Sequence, residues 1–124
     1  MTISNRRAFV SWSGGKDSCL ALHRALAQGW QVLYLLTMVS REFGRSGAHG
    51  VEARVMQHQA DALGIPMVQR LFDRDTYEKE FKGAIAQFKT EGVGAVITGD
   101  LYLDEHRQWM DRVCGDTDME AVRP

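Results

Sequence analysis

The sequence predicts an α/β protein built on a parallel sheet, and two observations carry that prediction. Short apolar runs of strand length alternate along the chain with longer segments of helical period. The run at residues 32–39 is apolar almost throughout rather than at every second position. Continuous apolarity suits a strand covered on both faces. Strands separated by helix-length connections pair in parallel through right-handed crossovers.

Residues 8–12, Ala-Phe-Val-Ser-Trp, read as the first strand. Residues 17–28 read as the first helix, with Leu20, Ala21, Leu22, Ala25 and Leu26 on its buried side and Gly29 as its stop. Residues 32–39 form the second strand. Residues 41–50 carry Gly44, Gly47 and Gly50 and read as a loop. Val51, Val55, Gln59 and Leu63 recur at intervals of four and, with Met56 and Ala60, give a second helix one apolar stripe that ends at Gly64 and Pro66. Residues 67–72 are the third strand. Tyr77, Phe81, Ala84, Ile85 and Phe88 form the stripe of a third helix, closed by Gly92. Residues 95–98 make a short fourth strand. Residues 104–114 make a fourth helix with Trp109, Met110 and Val113 inward. Residues 115–124 show no clear element.

Composition narrows the function classes. A chain of 124 residues has the length of one domain. Its net charge of −1, without a basic run, argues against a nucleic-acid partner. The longest apolar run is far too short to cross a bilayer, and the first residues lack the apolar stretch of a signal peptide, so a cytoplasmic protein without a membrane partner is expected. The two cysteines, Cys19 and Cys114, form no CxxC pair, which suits a reducing compartment and argues against zinc.

The chemistry-bearing segment is Ser13-Gly14-Gly15-Lys16-Asp17-Ser18, set between the first strand and the first helix. A helix start offers backbone N–H groups without intrahelical partners, and the positive end of the helix dipole. Two glycines let a phosphate approach the backbone closely. The Ser13 and Ser18 hydroxyls add donors, and Lys16 adds positive charge. The Walker A pattern is excluded, because Val10 stands where its first glycine belongs and Asp17 follows the lysine. The dinucleotide pattern GxGxxG is absent. Without its lysine the segment would read as a turn with Ser13 as helix cap. Lys16 and the strand–loop–helix order favour an oxyanion cradle.

This segment resembles the PP-loop of the N-type ATP pyrophosphatases, which break ATP between the α and β phosphates. Ser46-Gly47-Ala48-His49-Gly50-Val51, Gln59-Ala60-Asp61-Ala62-Leu63-Gly64-Ile65-Pro66, Gly99-Asp100-Leu101-Tyr102-Leu103, Glu105-His106-Arg107 and Arg112-Val113-Cys114 resemble further motifs of the diphthine–ammonia ligase-like family. The resemblance implies a three-layer doubly wound parallel sheet of the adenine nucleotide alpha hydrolase-like kind, strand order 3-2-1-4-5, with 3-2-1-4 expected here. It implies an ATP-binding domain over residues 1–114. Residues 115–124 would be a tail leading toward a C-terminal region beyond this chain. The fourth strand would then have an open edge and favour homo-oligomers, unless the tail covers it.

The implied reaction is ATP-dependent amide formation. A substrate carboxylate is adenylated, pyrophosphate leaves, and ammonia attacks the activated carbonyl. In the diphthine ligases the acid is diphthine on elongation factor 2, a substrate confined to archaea and eukaryotes. Ser13, Gly14, Gly15, Lys16, Asp17 and Ser18 would hold the phosphates, with Met38 and Gly99 also at the nucleotide. Lys16, Asp17 and Asp100 would be catalytic, and Asp17 or Asp100 would hold Mg2+. Arg41, His49, Glu105, His106 and Arg107 are candidates for substrate contact, each with a solvated charge or loop residue as the competing reading. Ligands in such sheets sit where the strand order reverses, here between strands 1 and 4, which would set Ser13 and Gly99-Asp100 facing each other across one crevice, with Arg41 and Asp73 on the same rim. Cys19 reads as a small core residue, or else as a thiol activated by the helix start. An ATP-dependent tRNA-modifying enzyme of the same superfamily and a non-catalytic adenine-nucleotide-binding module are the alternatives.

Overall fold

The computed structural model describes residues 6–42, 53–99 and 104–124. Nine elements alternate along them: β1 (Arg7–Ser11), α1 (Lys16–Ala27), β2 (Gln31–Ser40), α2 (Ala53–Leu63), β3 (Met67–Phe72), α3 (Tyr77–Lys89), β4 (Ala95–Ile97), α4 (Asp104–Asp116) and β5 (Glu120–Val122). The strands form one sheet in the order β3-β2-β1-β4-β5, and every neighbouring pair is parallel.

The helices divide between the two faces. Ala8, Val10, Leu35, Val39, Ala95 and Ile97 pack on one side against Ala21, Leu22 and Ala25 of α1 and Met56 and Ala60 of α2. Phe9, Leu36, Met38 and Val96 pack on the other against Phe81, Ala84, Ile85 and Phe88 of α3 and Met110, Val113 and Cys114 of α4. Adjacent residues of one strand thus feed opposite cores, as the two-residue period of a strand requires. A register shift between Ala8 and Phe9 is the one irregularity where β1 meets β2.

Several expectations need correction. Residues 115–124 are not without structure. α4 runs on to Asp116, Asp118 turns the chain with φ of 54°, and Glu120–Val122 pairs with β4 as a fifth strand. Met119 enters the core, and the N–H groups of Glu120 and Thr98 complete the ladder to Gly94 and Val122. The tail therefore covers the edge of β4 that was expected to lie open. Leu20 and Leu26 are not on the buried side of α1. They are 43% and 48% exposed, and the buried positions are Ser18, Ala21, Leu22 and Ala25. A single helical stripe spans about 100°, and one that takes in 18, 21, 22 and 25 turns 20 and 26 outward. The same geometry puts Cys19 at the surface, not in the core. On α2, likewise, Val55 and Leu63 lie at the exposed flank of the stripe formed by Met56 and Ala60.

Candidate functional site

The strand order turns back between β1 and β4. The connection that leaves β1 there is residues 12–15, leading into α1. Each part of this loop is held by a different neighbour. The Trp12 N–H donates to the Leu36 carbonyl at 2.8 Å, and the buried Thr37 hydroxyl donates to the Trp12 carbonyl at 3.1 Å. Both partners lie on β2. The Trp12 indole is buried against the α1–α2 face and donates to Gln59 Oε1 of α2 at 3.0 Å. Gln59 Nε2 in turn reaches the Gly14 carbonyl at 3.4 Å.

Gly14 takes φ of 80°, a left-handed conformation open to glycine without strain. Gly15 caps α1 in extended geometry and brings no capping side chain of its own. The first turn therefore presents main-chain donors, the Lys16 side chain on the outside and a half-buried Asp17. This is the chemistry of an anion site, and it fits a nucleotide's phosphates. Asp17 is the acidic residue of that turn. Among the described residues no group of three His, Cys, Asp or Glu side chains gathers to hold a metal ion. Any magnesium held here would lean on phosphate oxygens as well as on Asp17.

The two serines behave differently from each other. Ser18 is buried, donates to the Gly15 carbonyl at 3.2 Å and accepts from the Ser13 N–H at 3.3 Å. Its hydroxyl stitches the loop to itself. Ser13 Oγ lies 3.2 Å from Ser18 Oγ and accepts from the Gly15 N–H at 3.3 Å. It is only half-buried and sits on a main-chain donor that an anion would use.

Gly99 has an unexpected part. A Cβ at this position would stand 2.5 Å from the Asp17 carbonyl oxygen and 3.1 Å from the Ser18 nitrogen. The exit of β4 therefore presses directly on the start of α1 at Asp17 and Ser18. The signal was in the sequence as a glycine after a short apolar strand, which also marks close backbone approach.

Met38 buries its side chain in the α3–α4 core. Main-chain groups alternate sides along a strand, and Leu36 offers its carbonyl toward β1. Met38 accordingly turns its N–H and C=O to the same side, beyond the last β1–β2 pair at Ser11 and Leu36. That direction is toward the phosphate loop's side of the sheet. Arg41 leaves β2 at the same end and pairs with Asp73 at 3.1 Å, both more than half exposed. Glu105, His106 and Arg107 are exposed in the first turns of α4. Among the described residues no hydrogen bond or ion pair joins these three to residues 13–18. Asp100 and His49, and with them the second magnesium candidate, lie outside the described residues. The sequence pointed to the end of β2, Thr37 included, as the adenine's place, but it did not single out Gln59 or Trp12 as parts of this site. Gln59 was legible as a polar break in the apolar stripe of α2 and as the first residue of a family-like motif, neither of which gave it a place beside the loop.

The strongly shifted carboxyl among the described residues is elsewhere, between α3 and α4. Arg112 and then Lys82 hold Glu78 down to about 2. The partners are raised in return, Lys82 by Asp116 and Glu78, and Arg112 by Glu78 first.

The family model described as Diphthamide synthase N-terminal domain matches residues 6–121. Among solved structures the chain is similar to a protein from the universal stress protein family of Burkholderia pseudomallei, with a TM-score of 0.52 and 12% identity. That alignment covers 95% of this chain and 94% of the other, and at this identity it speaks to the fold alone. No curated protein matches the sequence. Among the described residues no helix is long and apolar enough to cross a membrane.

Proposed function

Because this chain belongs to the diphthamide synthase N-terminal domain family, a family of PP-loop ATP pyrophosphatase type, we propose that residues 13–18 bind the β and γ phosphates of ATP for an amide ligase reaction. The observation that carries the reading is the loop itself. It lies at the reversal of strand order, has a left-handed glycine, and opens a helix whose start no side chain caps. Adenine would lie along the end of β2, against the main chain of Met38. Lys16 would move onto the phosphates, and Asp17, with Asp100 as the other candidate, would hold Mg2+, which neutralises charge on the departing pyrophosphate. A substrate carboxylate attacks the α phosphorus, pyrophosphate leaves, and ammonia takes the acyl group to give an amide and AMP. The chain's contribution is positioning and charge stabilisation, and no nucleophilic side chain is needed. Diphthine on elongation factor 2 is the acid in an archaeal or eukaryotic setting, and another carboxylate in a bacterial one. Arg41, His49, Glu105, His106 and Arg107 are the candidates to meet it. The setting would be cytoplasmic.

The test is isothermal titration with ATP and Mg2+, alongside chromatography for AMP and pyrophosphate. Lys16→Ala removes a charge-assisted contact of about 1.5–3 kcal/mol, so ATP affinity should fall by about 10- to 100-fold while the melting temperature stays put. Unchanged affinity would remove the loop from the proposal. ATP binding with no AMP formed, in the presence of ammonia and a range of carboxylic acids, would favour the non-catalytic nucleotide-binding module.

A further inference from the structure

We propose that Gln59, on α2 and outside the phosphate loop, is a positioning residue that aims the Gly15 N–H at the bound anion. The inference rests on the nucleotide-binding reading above and names a part of that site which the loop motif does not contain.

The argument begins with donors and acceptors. An indole nitrogen only donates. Trp12 Nε1 therefore fixes which end of the Gln59 amide faces it, and Oε1 accepts at 3.0 Å. The NH2 end must then face the other way, and it meets the Gly14 carbonyl at 3.4 Å. That contact is long, and the shorter indole bond sets its direction. Trp12 is a firm anchor. Its ring is buried, and its N–H and C=O are both held by β2.

The Gly14–Gly15 peptide is planar, with its C=O and N–H opposed. Drawing the Gly14 oxygen toward α2 therefore turns the Gly15 N–H the opposite way, where it meets Ser13 Oγ at 3.3 Å. Gly14 at φ of 80° has no Cβ to restrain this peptide against rotation. An outside hold matters most at such a residue. Gln59 supplies it from 45 positions away in sequence. The Ser13 hydroxyl occupies the other end until an anion oxygen replaces it.

Two variants separate aiming from packing. Gln59→Leu keeps the bulk and loses both bonds. Gln59→Glu keeps the size and the acceptor for Trp12, and loses the N–H for Gly14. In the nucleotide-free chain, both should move the Gly15 amide resonance in 1H–15N spectra. Both should also speed its hydrogen exchange by about tenfold, with the β1 and β2 amides in place. In titrations Gln59→Leu should weaken ATP by about tenfold. A Gly15 amide unmoved in Gln59→Glu overturns the proposal, as does wild-type ATP affinity in Gln59→Leu. If the unmutated chain binds no ATP, the nucleotide reading fails, while the Gly15 resonance still decides whether Gln59 orients that peptide.

Discussion

The phosphate loop and the α3–α4 surface are held together by opposite means. Around the loop the bonds run between neutral groups: an indole, an amide, hydroxyls and peptide groups drawn from the loop itself, α1, β2 and α2. Across α3 and α4 the bonds are ionic. Glu78 takes both Arg112 and Lys82, and Asp116 takes both again. The charges lie over an aromatic layer in which Tyr77 and Phe81 meet the Trp109 ring edge-on at 5.5 and 5.3 Å. The Trp109 indole donates upward to Glu78. The difference teaches where the free charge is kept. The ionic network neutralises its own members, whereas the Lys16 side chain is left exposed outside the folded loop.

The largest effect should come from the layer beneath the charges. Phe81 is fully buried between Phe9, Tyr77 and Trp109. Phe81→Ala should cost about 3–5 kcal/mol, a large part of the stability of a domain this size. Denaturant titration reads it directly, and a loss under 1 kcal/mol would mean that the charges, not the rings, join α3 to α4.

Gly99→Ala comes next. The added methyl meets backbone on α1 rather than a yielding side chain. Overpacking of this kind costs about 1–3 kcal/mol, and the displaced Asp17–Ser18 peptide should lower ATP affinity beyond that of a variant of equal stability. Calorimetry and titration on the same sample separate the two losses. An unaltered melting curve would show that β4 and α1 do not press on each other at this point.

The smallest effect at neutral pH belongs to the network. Glu78, Lys82, Arg112 and Asp116 are each about a third to a half exposed, where ion pairs contribute little. Glu78→Gln should lower the melting temperature at pH 7 by a small but measurable step. Acid sharpens the contrast. Glu78 titrates at about 2 in the folded chain against an ordinary 4.5. Its contribution is therefore complete above pH 4.5 and is lost as pH falls from there toward 2. Acid-unfolding curves of the wild type and Glu78→Gln should converge across that window. A gap that stays constant through that window would mean that the Glu78 charge gives the fold nothing.

Local pattern made much of the molecule legible. Phe81, Ala84, Ile85 and Phe88 all fall inside, because a strong stripe admits one orientation. Four strands could be read because parallel strands buried on both faces need unbroken apolar runs. β5 escaped because its three residues, Glu120–Val122, carry too little apolarity to stand out after Asp116-Thr117-Asp118-Met119. The motif at residues 13–18 could be found because glycines, a lysine and a helix start are local features.

By itself the sequence determined the alternation of strands and helices, the parallel sheet and the place of the phosphate loop, since each follows from periodicity or from residues adjacent in the chain. Only the tertiary structure decided that β5 closes the sheet, that Gly99 presses on α1, that Ser18 turns inward and that Gln59 grips Gly14. Those outcomes depend on partners as much as 82 positions apart, as Gly99 and Asp17 are, and distance along a chain says nothing about which surfaces meet once two cores have packed.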